Sequence, residues 1–286
     1  MRVLIIGGNG FLGRVVLNKL IAAGHQVVVA TTNPPTNGIR GCKYFSSNDL
    51  LKSPIEFLEK YEVIVNLAMK RSRKSAPVSY SDLYLSNFEL PLAIINKFAD
   101  PSTFVINAST YIQESAGFKG EVLEDYSSTK ELLSKELNSA ALHGSFTVCD
   151  LYFFTLYGAE DREFHLVPSL LRAAKMSKVI RLSGGDQLIN LVYIDDAADI
   201  ILRAISRERS QYERFACWEP KYQTIRELVS EIELSIGLPI YADWGAIPYN
   251  GHEMFEQWDV PLNKFPESLE RTSLADGIRF TFESMN

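Results

Sequence analysis

Cysteine is scarce in this sequence. Cys42, Cys149 and Cys217 are odd in number and far apart, with no Cys-x-x-Cys pair, so a disulfide framework is not expected and the thiols should be reduced. Histidine is hardly more frequent: His25, His143, His165 and His252 have no metal-ligand spacing, and no metal is expected. Long apolar runs are missing too, which excludes a helical membrane span. Met1-Arg2 leads straight into an apolar stretch, so no signal peptide and a cytoplasmic location are expected. Positive charge is not in surplus, the formal net charge being −6. The one basic cluster, Lys70-Arg71-Ser72-Arg73-Lys74, reads as a cofactor-side loop or a solvated one, and nucleic acid is not an expected partner.

What is abundant is globular. Hydrophobic residues make up 46% and charged residues 22% of 286, enough for a large core and against disorder. The chain opens with an apolar run, Val3 to Ile6, then Gly7-Gly8-Asn9-Gly10-Phe11-Leu12-Gly13, an amphipathic stretch to Ala23 and a second apolar run, Val27 to Ala30. That order reads as strand, tight turn, helix, strand. Phe11, Val15, Leu20 and Ile21 recur at helical spacing, and Gly24 stands where the helix would end. Glycine at Gly7 and Gly10 lets the backbone turn sharply and a pyrophosphate approach, while Gly13 lets the helix lie close on the sheet. The N–H groups at the helix start would hold the phosphates, so Gly7, Asn9, Gly10, Phe11, Leu12 and Gly13 are candidate dinucleotide contacts.

The loop after the second strand, Thr31-Thr32-Asn33-Pro34-Pro35-Thr36-Asn37-Gly38, contains no carboxylate. An acid there would bond the adenosine ribose and repel a 2′-phosphate. Thr31 and Thr32 can donate to phosphate, and Arg14, Arg40 and Lys43 can add charge, so NADP is favoured over NAD. Further strands are expected at Tyr44-Phe45, Val63 to Ala68, Phe104 to Asn107 and Thr147 to Phe154. Ligands of open parallel sheets bind beyond the carboxyl ends of the strands, which makes Ser109 and Thr110 candidates for chemistry. Tyr126 and Lys130 follow, four apart on an expected helix that continues through Leu132, Leu133 and Leu137, and so share one face.

On these motifs the sequence resembles the extended short-chain dehydrogenase/reductases, the NAD-dependent epimerase/dehydratase family. Nucleotide-sugar members carry the Gly-x-x-Gly-x-x-Gly spacing of Gly7, Gly10 and Gly13, and Tyr126 with Lys130 matches the Tyr-x-x-x-Lys pair. The resemblance implies an α/β fold: a Rossmann doubly wound parallel sheet over residues 1–160, with 190–206 returning to it, and a smaller substrate-binding lobe over 161–286. It implies that Thr110, Tyr126 and Lys130 are catalytic. Tyr126 would protonate a ketone oxygen as hydride arrives from the nicotinamide, Lys130 would lower the phenol's pKa and bond the ribose, and Thr110 would hold the substrate oxygen. Leu67 and Ala68 match a signature whose small residues let the backbone pass the cofactor. Asn48 and Asp49 would sit beside the adenine, unless Asp49 caps a helix. Asn87 would tie a sheet carbonyl to the active-site side, or be merely exposed.

Thr155-Leu156-Tyr157-Gly158 resembles the family's Asn-x-Tyr-Gly signature with Thr155 in place of Asn, a substrate contact with Ser109. Arg172, on an expected helix from Phe164 to Ala174, and Arg181, on an expected strand from Val179 to Leu182, are candidate diphosphate partners or surface ion pairs. Asp195-Asp196 reads as an N-cap and a first-turn acid. The tail motif Trp258-Asp259-Val260-Pro261 is similar to the family's closing motif. The departures sharpen the reading. Tyr111-Ile112 stands where dehydratases carry Asp-Glu, and Ile189-Asn190 where relatives carry Arg-Asp. The short interval from Thr110 to Tyr126 looks most like nucleotide-sugar 4-ketoreductases of the CDP-paratose and CDP-abequose synthase type. Reduction of a 4-keto nucleotide sugar is therefore expected, with an epimerase retaining NAD or a non-catalytic NAD(P) sensor as alternatives. A homodimer paired through the Tyr126 helix, with Leu133 and Leu137 in its interface, is also implied.

Overall fold

The computed structural model describes residues 1–53, 60–72, 76–114, 121–217, 221–249, 253–257, 262–265 and 269–285. The Trp258 to Pro261 motif, Arg73, Lys74 and His252 lie outside them. β1 (Arg2–Ile6), α1 (Phe11–Ala22) and β2 (Gln26–Thr31) form the expected opening unit, with β1 and β2 parallel and Val3 opposite Val27. There follow β3 (Cys42–Ser46), α2 (Ser47–Lys52), β4 (Val63–Asn66), α3 (Tyr80–Tyr84), a π-helical turn (Leu85–Glu89) and α4 (Leu90–Phe98). β5 (Phe104–Thr110), a 3-10 turn (Tyr111–Glu114), α5 (Glu121–Leu142) and β6 (Thr147–Phe153) complete the run. The chain continues through β7 (Thr155–Tyr157), α6 (Leu166–Lys175), β8 (Ile180–Arg181), β9 (Leu188–Ile189), β10 (Leu191–Tyr193), α7 (Ile194–Ser206) and β11 (Tyr212–Cys217). Last come β12 (Gln223–Thr224), α8 (Ile225–Ile236), β13 (Ala242–Asp243), β14 (Asn263–Lys264) and α9 (Leu274–Glu283).

Among the described residues, eight strands form one parallel sheet in the order β14-β11-β6-β5-β4-β1-β2-β3. The reversal at β1 is a doubly wound Rossmann topology, and it opens a crevice at the carboxyl ends of the strands. Strands buried on both faces need continuous apolar runs, and Val3-Leu4-Ile5-Ile6 and Val63-Ile64-Val65 supply them. One face packs Leu4, Ile6, Ile64, Val105 and Val148 against Ile94, Ile95 and Phe98 of α4 and Leu133 and Leu137 of α5. Each such side chain removed from water contributes about 1.5–3 kcal/mol. The buried face of α1 is Gly13, Val16, Leu17 and Leu20, so Phe11, Val15 and Ile21 flank it instead of forming it. β11 was not expected, because Glu213 and Arg214 interrupt its apolar pattern; it pairs with β6 from Tyr212 opposite Val148 to Cys217 opposite Phe153.

The chain forms two compact units. The first holds residues 1–153 and 198–217 with β14, so its main boundary precedes residue 160 and the segment that rejoins it runs past 206. Among the described residues, the second holds three two-stranded pairs, β10 with β7, β12 with β9 and β13 with β8, together with α6, α8 and α9. Within it α8 begins in a capping box between Thr224 and Glu227. Among the described residues no helix is long and apolar enough to cross a membrane.

Candidate active site

The glycine turn is built for close approach. Gly7 has φ +82°, and a Cβ there would lie 2.8 Å from the Cα and N of Ala68; at Gly13 it would lie 2.6 Å from the Gly8 carbonyl oxygen. Gly10 is the N-cap of α1, without a side-chain cap and with no acid in the first turn. The N–H groups of Phe11, Leu12 and Gly13 thus begin a helix whose first turn has no intrahelical acceptors, a cradle suited to a pyrophosphate. Asn9 ties the turn to the end of β2 and the loop beyond, its amide donating to the Thr31 hydroxyl at 3.3 Å and the Asn33 carbonyl at 3.1 Å. Thr31 is buried and Thr32 exposed at the end of β2. Asn48 and Asp49 are exposed on α2, whose cap is Ser46: its hydroxyl accepts from the Asp49 N–H, so Asp49 is a first-turn acid and not the cap.

Ala68 joins this cradle to the chemistry. Lys130, buried on α5, donates to the Ala68 carbonyl at 3.0 Å and the Ala108 carbonyl at 2.8 Å, bridging the ends of β4 and β5. One turn earlier on α5, Tyr126 is 5% exposed, and the Thr110 side chain at the end of β5 acts on its phenol. The Arg71 guanidinium carbon lies 5.9 Å from the Tyr126 ring centroid. Thr110, Tyr126 and Lys130 are thus gathered at the carboxyl ends of the strands, on the side of the glycine turn. Their electrostatics differ from expectation. Burial pushes the Tyr126 phenol up to about 12 and Tyr111 adds to the rise, against the lowering influence of Arg71 and Thr110. Burial lowers Lys130 to about 8, with Asp150 opposing. The phenol therefore sits above its ordinary value, not below it, because desolvation dominates and the ammonium is committed to two carbonyls.

Two polar assemblies support these groups. Asn87 is fully buried in the π-helical turn: it accepts from the Lys70 N–H at 2.7 Å and donates to the Lys70 carbonyl at 2.9 Å and the Thr129 hydroxyl at 3.2 Å. It ties the loop after β4 to α5 between Tyr126 and Lys130. The second assembly centres on Asp150, fully buried on β6, which accepts from Asn107 at 2.8 Å, Ser109 at 2.5 Å, Tyr152 at 3.4 Å and Tyr212 at 3.3 Å. Burial raises its carboxyl, and the bonds from Ser109, Ser134 and Asn107 oppose the rise. Ser109 also lies 3.1 Å from Ser134, and Gln113 bridges Ser134 to the Thr110 N–H at 3.2 and 2.9 Å. The Ser109 hydroxyl therefore faces this network. Asp150, Asn107 and Gln113 were missed; the available signal was a polar side chain inside a buried apolar run, as Asp150 is between Cys149 and Leu151.

The sequence model of the NAD dependent epimerase/dehydratase family matches residues 3–216. The chain belongs to that family. It is an NAD(P)-dependent enzyme of the extended short-chain dehydrogenase/reductase type. It is 25% identical to CDP-abequose synthase of Yersinia pseudotuberculosis over 237 residues, covering 80% of this chain and 82% of that one. It is 20% identical to dTDP-6-deoxy-L-talose 4-dehydrogenase (NAD(+)) of Aggregatibacter actinomycetemcomitans over 274 residues, covering 90% and 99%. Its fold is similar to that of a tyrosine-to-phenylalanine mutant of UDP-glucuronic acid 4-epimerase from Bacillus cereus in complex with UDP-4-deoxy-4-fluoro-glucuronic acid and NAD. The TM-score is 0.79 at 18% identity, over 99% of this chain and 98% of the other.

The remaining positions of this family member are less committed. Leu67 is tied to β1 through its N–H and the Ile6 carbonyl, at 2.8 Å. Thr155 is half-buried on β7, its N–H 3.3 Å from the Asn190 carbonyl. Arg172 is ion-paired with Glu163, which the guanidinium holds below the usual carboxylate range. Arg181 is exposed and donates to the Ala246 carbonyl at 2.8 Å. α7 starts at Ile194, so Asp195 is a first-turn acid and not the N-cap, while Asp196 is the first-turn acid expected and also accepts from the Thr272 hydroxyl at 2.8 Å and N–H at 3.1 Å. Leu133 and Leu137 are fully buried in the core, which removes them from the expected dimer interface. Among the described residues no group of His, Cys, Asp and Glu could hold a metal ion.

Proposed function

We propose that this protein reduces a keto group on a nucleotide-activated sugar, of the 4-keto-6-deoxy type, with NADPH. The observation that carries the reading is the buried Tyr126 phenol one helical turn from Lys130, whose ammonium bridges the Ala68 and Ala108 carbonyls at the ends of β4 and β5, with Thr110 acting on the phenol. A bound reduced nicotinamide supplies a hydride to the carbonyl carbon. Tyr126, held protonated at neutral pH, hands its proton to the oxygen as negative charge develops there, and Thr110 aligns that oxygen. Lys130 anchors the ends of β4 and β5 and offers its remaining N–H to the cofactor ribose. A neutral phenol suits the reductive direction, which needs an acid.

The names of the two relatives, a CDP-sugar synthase and a dTDP-sugar 4-dehydrogenase, support the substrate class. The absence of any carboxylate from Thr31 to Gly38 favours the 2′-phosphate of NADP, with Thr31 and Thr32 beside it. Asn48 and Asp49 flank the adenine in this reading. Thr155 contacts the sugar, and Arg172 and Arg181 meet the diphosphate only by leaving their present partners. The homodimer, if formed through α5, uses exposed residues such as Lys135, Glu136 and Ser139, and sedimentation as a monomer alone would remove it. The central test mixes purified protein with NADPH or NADH and CDP- or dTDP-4-keto-6-deoxyglucose. NADPH-dependent alcohol formation is expected. Isomerised sugar without net NADPH oxidation would assign an epimerase, and binding without turnover a sensor.

A further inference from the structure

Arg71 belongs to the basic cluster that the sequence left between a cofactor-side and a solvated role. Its guanidinium carbon is 5.9 Å from the centre of the Tyr126 ring. The backbone on both sides is fixed. Lys70 is clamped through its N–H and carbonyl by the buried Asn87, and the buried Ser72 hydroxyl accepts from the Val78 N–H at 2.9 Å. The side chain itself is exposed. Arg172, Arg207 and Arg279 are ion-paired, whereas among the described residues Arg71 has no carboxylate partner to neutralise it. A guanidinium over an aromatic face is attracted to the ring, and more strongly once the ring carries phenolate charge.

The other groups around the phenol do not fill this place. Thr110 faces it from β5 and Tyr111 from the turn beyond; neither is cationic. Its own helix carries Glu124, Asp125 and Lys130, and the Lys130 ammonium is turned to two main-chain carbonyls with Asp150 on β6 acting on it. We propose that Arg71 supplies the positive charge that steadies the Tyr126 phenolate at the moment its proton leaves. The inference rests on the reductase reading and names a further residue of that site. In the step, hydride from the reduced nicotinamide adds to the carbonyl carbon, and the C=O π pair moves to oxygen. The Tyr126 O–H bond breaks as its proton joins that oxygen, leaving phenolate opposite Arg71 until solvent returns a proton.

The test compares wild type with Arg71→Gln and Arg71→Lys, each carrying a fluorinated tyrosine at position 126 whose ionisation is followed by fluorine NMR. No substrate is needed. The Tyr126 titration should move upward by roughly half a unit to one unit in R71Q, and R71K should restore most of it. NADPH affinity, read by fluorescence, should stay within a factor of about three of wild type. Titrations that superimpose in wild type and R71Q would overturn the proposal, as would an R71K curve no different from R71Q. Should R71Q fail to fold, raising the salt concentration on the wild type gives a second reading: screening an exposed cation must move the same titration upward, and an unmoved curve rejects the role. Full turnover by Y126F would instead sink the reductase reading, an outcome distinct from any of these.

Discussion

The carboxyl ends of β4 and β5 and the second unit handle charge and polarity in opposite ways. In the first region polar groups are buried and tied across distant segments: Lys130 to Ala68 and Ala108, Asn87 to Lys70 and Thr129, Asp150 to Asn107, Ser109 and two tyrosines. In the second, the arginines expected to meet substrate are exposed and have protein partners, Arg172 with Glu163 and Arg181 with Ala246. A buried polar group without its partner costs about 1–3 kcal/mol, whereas an exposed ion pair contributes at most about 1 kcal/mol. The first arrangement is held in one geometry and the second is free to rearrange.

The largest effect should come from the centre of the held region. Tyr126→Phe removes the proton donor and should lower turnover by about 10²–10⁴-fold with folding intact, measured as NADPH oxidation beside a far-UV spectrum. Gly13→Ala drives a Cβ into the Gly8 carbonyl and should cost about 1–3 kcal/mol and most nucleotide binding; calorimetry and NADPH titration would show it. A G13A protein as stable and as tightly binding as wild type would break the comparison at its start.

Asp150→Ala strands several donors and should lose about 3–5 kcal/mol, whereas Asp150→Asn, which keeps the shape, should lose about 1 kcal/mol; denaturant midpoints separate the two. Lys130 sharpens the picture through pH. Its folded value of about 8 lies below the ordinary lysine value of 10.5, so between them the unfolded chain binds more protons and stability should rise with pH. Lys130→Met should flatten that slope. The smallest effect belongs to the second unit: Arg172→Ala should change stability by under about 0.5 kcal/mol. A hundredfold loss of turnover in R172A, at unchanged stability, would mean that this arginine leaves Glu163 for substrate and that the contrast is wrong.

Much of the first region could be read beforehand because its signals are local. The glycine spacing of Gly7, Gly10 and Gly13, the four-residue step from Tyr126 to Lys130 and the apolar runs of β1 and β4 each follow from turn, helix or strand geometry. β11 could not be read, since Glu213 and Arg214 give it no continuous apolar run and only pairing with β6 makes it a strand. Asp150 was hidden for the converse reason. A carboxylate in an apolar run has no local meaning until Asn107, Ser109, Tyr152 and Tyr212 converge on it from β5, β6 and β11.

By itself the sequence determined the opening strand–turn–helix–strand unit, the apolar runs of the inner strands and which hydroxyl and ammonium share a helical face, because each rests on periodicity or on the bulk of one side chain. Only the tertiary structure decided what surrounds those groups. It turned Lys130 toward two carbonyls, Ser109 toward Asp150 and Arg71 toward Tyr126. Such choices depend on through-space distance and on exclusion of water, and neither quantity is encoded in the spacing of residues along the chain.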